Sequence, residues 1–529
     1  MTPMFFLFWL MVVFCLLVYS KSYMLSLSYF YSDSQSFNNF LFSFGVNYES
    51  LIFTFMVLLV TCMVLSYSEV YMEHYNNNKF IFLLLIFFVS MVLLSLSENF
   101  LILMLGWDGL GISSICLIMF YPNKNTLYNS LLTMFFNRLG DVVMIIVLSM
   151  FILQWSNLIY DPSGSLSLMV YLMLLICSFT KSAQFPLSSW LPAAMSAPTP
   201  ISAMVHSSTL VTAGVYVCVK MMWFFSLGGL LEILMCISLC SFMAGGGMAN
   251  VELDFKKMVA FSTMSQISMI MLFLGVSLYY LALTHMVFHA LFKTLLFCCA
   301  GTMFIYSLSD QSSKMLANKA EGKFLHYMFF LSIFSMSGLI FSSSFFSKDM
   351  GLEYMCSMMF FYNFMFLLSG SLLTLLYCSK MMKSGLSFLN SMKTINFKSS
   401  FFIFSTGFLI VTLSPSLLLK SFGWLNLNSF LSVVEVLLIL FIFMFSSLGV
   451  YRGPQSSKLL LLSLSISTMK TYGYSFLGKF MSANLSSVGF TDSLIFKPFM
   501  AFWGYKVKIF TTFKTSIIAP LILIIYTLG

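Results

Sequence analysis

Apolar runs of about twenty residues recur through this 529-residue chain with almost nothing charged inside them. A run of that length is what a helix needs to cross the hydrocarbon core of a bilayer, roughly 30 Å thick. Transmembrane strands would instead show short alternating segments, and none are found. The chain is 60% hydrophobic and only 8% charged, with 62 Phe and 43 Met, so soluble domains built from it would lack the polar surface to cover themselves. Helices satisfy their own backbone groups without water. The pattern therefore predicts an all-α polytopic membrane protein.

About fifteen transmembrane helices are expected, at residues 4–20, 47–67, 79–96, 98–121, 127–153, 166–183, 201–225, 228–246, 257–277, 279–308, 325–345, 350–378, 400–418, 431–450 and 508–527. Alternate threading puts Lys79, Lys124, Lys256, Lys257, Lys314, Lys319, Lys323, Lys380, Lys383, Lys393, Lys398, Arg452 and Lys458 on one side, and only Lys21 and Lys420 on the other. That asymmetry is what the excess of basic residues on the side of synthesis produces. Residues 4–20 carry neither a charged leader nor a small-residue cleavage site, so they read as a span and not a signal. The eleven Cys are scattered, with only Cys298 and Cys299 adjacent and Cys236 and Cys240 one turn apart. No zinc or iron–sulfur spacing results, and they read as small buried packing residues. The stretch 451–507 is Ser-rich, spaced by lysines and interrupted by Pro454 and Pro498, which suits an amphipathic segment lying in the interface.

Against that background Lys181, Lys293 and Lys348 stand out, because a cation near the middle of a membrane helix costs roughly 2.5–3.5 kcal/mol even on mild insertion scales. Such residues face a bundle interior or water, and the three are read as stations on an ion path. Lys181 ends one apolar run, and Pro186, Pro192, Pro198 and Pro200 interrupt the backbone before His206. Irregular backbone at membrane depth is tolerated only inside protein or around a wet cavity. His285, His289 and Lys293 recur every fourth residue, which lines them along one gently winding stripe about 12 Å long. Lys348 and Asp349 follow a serine cluster and precede Gly351. A break there would mirror the first and point to an internal repeat with one site per half, although a plain interface turn fits the same residues. Asp108 and Asp141 lie inside apolar runs. Arg138 shares a helical face with Asp141, whereas Asp108 has no local partner and is expected to pair with Lys181. Lysine suits proton exchange better than arginine, which stays charged.

The blocks LGWDGLGISS, NRLGD, FTKSAQFPLSSWLPAAMSAPTPISAMVHSSTLVTAGVY, LDFKKMVAFSTMSQ, THMVFHALFK and FFSKD carry a resemblance. Over roughly residues 98–380 the chain resembles the antiporter-like subunits of respiratory complex I, the mitochondrial NADH:ubiquinone oxidoreductase, and is akin to the largest of them in the bacterial enzyme. The resemblance implies two inverted five-helix repeats, each with a broken helix, in a proton-translocating membrane-arm subunit. It implies N-terminal helices over 1–97, repeats over 98–246 and 247–399, further helices over 400–455, a lateral amphipathic helix over 456–507 and a terminal anchor over 508–529. It assigns proton translocation to Asp108, Asp141, Lys181, His206, His285, His289, Lys293, Lys348 and Asp349, with Asp108 modulating Lys181 and Lys293 as central relay. The family usually carries glutamate where Asp108 stands, and longer members have sixteen spans.

The same resemblance implies partners among the other membrane-arm subunits and inner-membrane lipids such as cardiolipin, and a place in the mitochondrial inner membrane, which the Phe- and Met-rich composition also favours. NADH, flavin (FMN), iron–sulfur clusters and ubiquinone are expected in other subunits, since neither a glycine-rich dinucleotide fingerprint nor a cluster motif is found here. Two competing readings are a subunit of a multisubunit cation/proton antiporter, which sodium-dependent transport would reveal, and a structural anchor whose buried charges only pin helices.

Overall fold

Where apolar sequence runs unbroken, the chain is helical, because a backbone surrounded by hydrocarbon can pair only with itself. The structure, a computed structural model, describes residues 26–27, 44–45, 48–72, 77–97, 100–121, 123–155, 165–222, 225, 229–306, 311, 320–321, 323–338, 342–358, 361–389 and 392–393. The expected spans 4–20, 400–418, 431–450 and 508–527 and the segment 451–507 lie outside the described residues. The helices are α1 (Tyr48–Tyr71), α2 (Asn77–Leu96), α3 (Phe100–Ile118), α4 (Lys124–Trp155), α5 (Ser165–Lys181), α6 (Trp190–Ala194), α7 (Thr199–Ile201), α8 (Leu210–Lys220), α9 (Leu231–Val251), α10 (Phe255–Gly275), α11 (Tyr279–Tyr306), α12 (Lys323–Ser337), α13 (Phe345–Met358) and α14 (Phe361–Leu389). A π-helical segment, Ser202–Thr209, joins α7 to α8. Among the described residues, eight helices are long and apolar enough to cross a membrane.

Burial sorts these helices into layers. The continuous stretch Thr199–Lys220, α10 and α11 are enclosed almost entirely, and they form the centre of the bundle. At the periphery, α2 and α4 expose Phe82, Val89, Leu131, Phe135, Val142 and Ile145, the kind of surface a lipid or a neighbouring helix covers. The many hydroxyls of the interior stay compatible with a dry setting because they bond back to their own helix. Ser66 donates to Met63 O at 2.8 Å, Ser90 to Phe87 O at 2.7 Å and Ser178 to Leu175 O at 2.6 Å. Serine in these helices is therefore already satisfied and is no sign of an aqueous face.

The proline-rich region interrupts the helical run as expected. Helix α5 stops at Lys181, the chain turns through residues 182–189, and α6 contributes a single short helix before Pro198 caps α7. Residues 182–184, 190–195 and 197–200 are buried, whereas residues 185–189 reach the edge of the bundle and Pro186 is exposed. Its freed groups find partners inside the protein: Trp190 Nε1 donates to Thr180 O at 2.9 Å, and the amides of Ile201 and Ser202 donate to Pro198 O at 3.1 and 3.2 Å.

The second half differs from expectation in one respect. Instead of two spans at 325–345 and 350–378, the structure has three helices, α12, α13 and α14. Gly338 adopts a left-handed φ of +78° and Ser342–Ser344 form a turn, so the chain breaks seven residues before Phe345 and restarts just ahead of Lys348. Lys348 and Asp349 consequently lie on the first turns of a helix and not in an interface turn. Two-residue strands pair β1 (Ser26–Leu27) with β2 (Phe44–Gly45), antiparallel, and β3 (Ala320–Glu321) with β4 (Met392–Lys393), parallel. Phe255 N donates to Gln311 O at 2.9 Å, and Lys380 Nζ donates to Asn250 O at 3.0 Å. The chain after α9, after α11 and late in α14 thus meets at one end, as the charge asymmetry requires.

Candidate functional site

Two clusters of buried ionisable side chains occupy the bundle, with a histidine on the helix between them. The first joins α3, α4 and α5. Gly140 allows it to form, since a Cβ there would come within 2.3 Å of Thr180 Oγ1, and without one α4 and α5 approach closely enough to put Asp141 beside the end of α5. Lys181 is completely buried. Its ammonium donates to the Trp107 carbonyl oxygen at 2.5 Å and lies 3.9 Å from the centroid of the Trp107 ring. A cation over an indole face is held by the ring quadrupole, and the carbonyl adds a strong acceptor.

The expected ion pair between Asp108 and Lys181 is not formed. The lysine takes the backbone of the preceding residue instead, while Asp108 Oδ1 is buried and accepts no hydrogen bond. Both carboxylates act electrostatically on Lys181, Asp141 more strongly than Asp108. Asp141 is itself buried and pairs with Arg138 at 3.3 Å, the guanidinium remaining about half exposed. Asp141 therefore touches both the edge of the bundle and the lysine's surroundings.

His206 occupies the π-helical segment, which packs against α1 and α11. Wide turns of this kind interrupt α-helices frequently at functional sites. His206 is fully buried with neither ring nitrogen hydrogen-bonded, and its ring meets Trp190 edge-on at 6.3 Å. Lys256 lies within electrostatic reach of it.

The second cluster gathers α10 to α13. His285, His289 and Lys293 are all fully buried along α11. His285 Nδ1 is 2.8 Å from Ser347 Oγ, whereas neither nitrogen of His289 is hydrogen-bonded. Lys293 donates to Ser262 Oγ at 2.5 Å and to Met336 Sδ at 3.0 Å. Lys348, also buried, donates to Met336 O, and Asp349 is buried beside it.

The lysines share a mode of support. Lys181 rests on Trp107 O, Lys220 on the carbonyls of Leu94, Ser95 and Ser97, Lys256 on Ala197 O, Lys348 on Met336 O, and Lys380 on Asn250 O and Glu252 O. Lys293 differs, since both of its hydrogen bonds go to side chains. Several of these residues escaped the sequence reading. Lys256 counted there as a loop lysine, yet it is buried, while its neighbour Lys257 is half exposed and pairs with Asp254 at 2.7 Å. Adjacent lysines at a helix start give no local signal of which one turns inward. Trp107, Ser262, Met336 and Ser347 had none either.

Residues 97–374 match the family described as NADH:quinone oxidoreductase/Mrp antiporter, transmembrane. Among curated relatives, the NADH-ubiquinone oxidoreductase chain 5 of Mytilus edulis is 34% identical over 449 residues, covering 82% of this chain and 78% of that one. The chain 5 of Aedes aegypti is 40% identical over 344 residues, covering 63% of this chain and 59% of the relative. Among solved structures the fold is similar to a chain of an archaeal membrane-bound sulfane sulfur reductase, at a TM-score of 0.69 and 15% identity over 82% of this chain and 90% of that one. It is also similar to a chain of the Mrp complex from Dietzia sp. DQ12-45-1b, at 0.64 and 19% over 96% and 59%. This chain is a multi-pass membrane protein that belongs to the NADH:quinone oxidoreductase/Mrp antiporter transmembrane family.

Proposed function

We propose that this chain translocates protons across the mitochondrial inner membrane as a membrane-arm subunit of an NADH:ubiquinone oxidoreductase, driven by redox chemistry in other subunits. The observation that carries the reading is the set of fully buried basic groups Lys181, His206, His289 and Lys293, none held in an ion pair among the described residues. Burying an unpaired polar group costs several kcal/mol, so an anchor would have little use for imidazoles with both nitrogens unsatisfied. A path that recruits water and passes protons would use them. The chain 5 relatives favour an oxidoreductase partner over a free-standing cation antiporter.

On this reading Asp108 and Asp141 modulate Lys181, His206 links the halves, and His285, His289 and Lys293 carry the proton toward Lys348 and Asp349. The two interruptions, after Lys181 and before Lys348, are the broken helices of two repeats, at 98–246 and 247–399. The decisive experiment is Lys293→Met in the assembled complex, which keeps side-chain length and removes the exchangeable proton. Assembly and NADH oxidation should persist while proton uptake into vesicles falls. Full proton uptake at full NADH turnover would instead make the buried charges structural.

A further inference from the structure

Two lysines end on one residue. Lys293 from α11 reaches the sulfur of Met336, and Lys348 from α13 reaches the same residue's carbonyl. The carbonyl is available because Met336 lies in the last turn of α12, where helical carbonyls have no partner in their own helix. A cation at that end is also favoured by the helix dipole. Gly338, two residues on, holds its positive φ, and a Cβ there would press on Lys348 Cδ at 3.1 Å. The end of α12 is thus shaped to take the Lys348 stem past Gly338 and stop its ammonium against Met336.

We propose that Met336 is a gate between Lys293 and Lys348, a positioning residue that carries no proton itself. The inference rests on the reading that protons pass along this axis. A thioether has no exchangeable proton and is a weak acceptor, and a carbonyl has no exchangeable proton either. Of the groups that Lys293 contacts, Ser262 has a hydroxyl able to relay and Met336 does not. With Met336 in place the two ammonium groups lie within electrostatic reach of each other but are joined through an insulating residue. Methionine is unbranched with three rotatable bonds, so its side chain can swing aside while its carbonyl, fixed in α12, keeps Lys348. Such a motion would admit water between the lysines and close again behind it, making transfer conditional on one side chain.

The test uses the assembled complex in sealed vesicles. Met336→Ala leaves a polar, roomy space that water can occupy, and passive proton conductance without NADH should rise about tenfold. Met336→Leu keeps the bulk and removes the acceptor. It should stay tight and slow NADH-driven pumping severalfold, and Met336→Val, of intermediate size, should leak to an intermediate degree even if the alanine variant fails to assemble. Adding Lys293→Met to the leaking variant should abolish the leak, which a merely loosened helix packing would not do. Alanine and valine variants that remain tight and pump normally, in a complex where Lys293→Met alone stops pumping, overturn the gate and leave the proposed function standing. Normal pumping by Lys293→Met alone overturns both.

Discussion

Lys181 and Trp107 interact twice, the ammonium lying 3.9 Å from the indole ring centroid and 2.5 Å from the carbonyl oxygen of the same residue. The two contacts separate the lysine's position from its chemistry. Lys181→Arg would keep the charge and a cation able to stack on the ring, yet arginine does not give up its proton. The expected result is an assembled complex that oxidises NADH and takes up few or no protons through this chain. Trp107→Phe weakens the ring contact, worth about 0.5–2 kcal/mol, and leaves the carbonyl. Pumping should fall only a few-fold. Normal proton uptake by Lys181→Arg would remove Lys181 from the path.

The Arg138–Asp141 pair offers a second test because Asp141 faces two cations. Asp141→Asn should lower the melting temperature of the purified complex, since it leaves Arg138 without its partner. The expected cost is about 1–3 kcal/mol, below that of a fully buried pair because the guanidinium is half exposed. Replacing both residues together, Arg138→Met with Asp141→Leu, should restore most of that stability. Proton uptake should stay low in the double variant if Asp141 acts on Lys181. Recovery of uptake along with stability would reduce Asp141 to a counter-ion for Arg138.

The approach of α4 to α5 at Gly140 is directly testable. Gly140→Ala places a methyl group where Thr180 Oγ1 already sits, and overpacking of this kind typically costs about 1–3 kcal/mol. Thr180→Ala on the same chain removes the offending oxygen and should recover stability. Thermal unfolding of the two variants side by side measures this. Equal melting of Gly140→Ala and the parent would mean that the helices are further apart than described.

The sequence is most legible where the controlling physics is local. A helix such as α11 is expected at 279–308 and observed at Tyr279–Tyr306, because apolar length alone decides it. The break near Lys348 is legible in kind and not in place. The serine cluster signals an interruption there, but Gly338, whose left-handed conformation begins it, lies inside the stretch expected as one span over 325–345. Lys181 illustrates the deeper limit. Its burial follows from its place in an apolar run, but its acceptor is a main-chain oxygen on α3, brought there by tertiary packing. Carboxylates announce themselves in a sequence, and carbonyls do not, which is why Asp108 was expected in the place Trp107 O occupies.

Those main-chain acceptors also bear on how such a chain can change over time. A carboxylate partner disappears with one nucleotide substitution, whereas a peptide oxygen is furnished by any amino acid at that site. Lys181, Lys256 and Lys348 are therefore tethered to groups that point mutation cannot delete without displacing the backbone. Drift in the surrounding side chains leaves their moorings intact, and Lys293, moored to a serine and a methionine, is the one whose setting is most open to inherited variation.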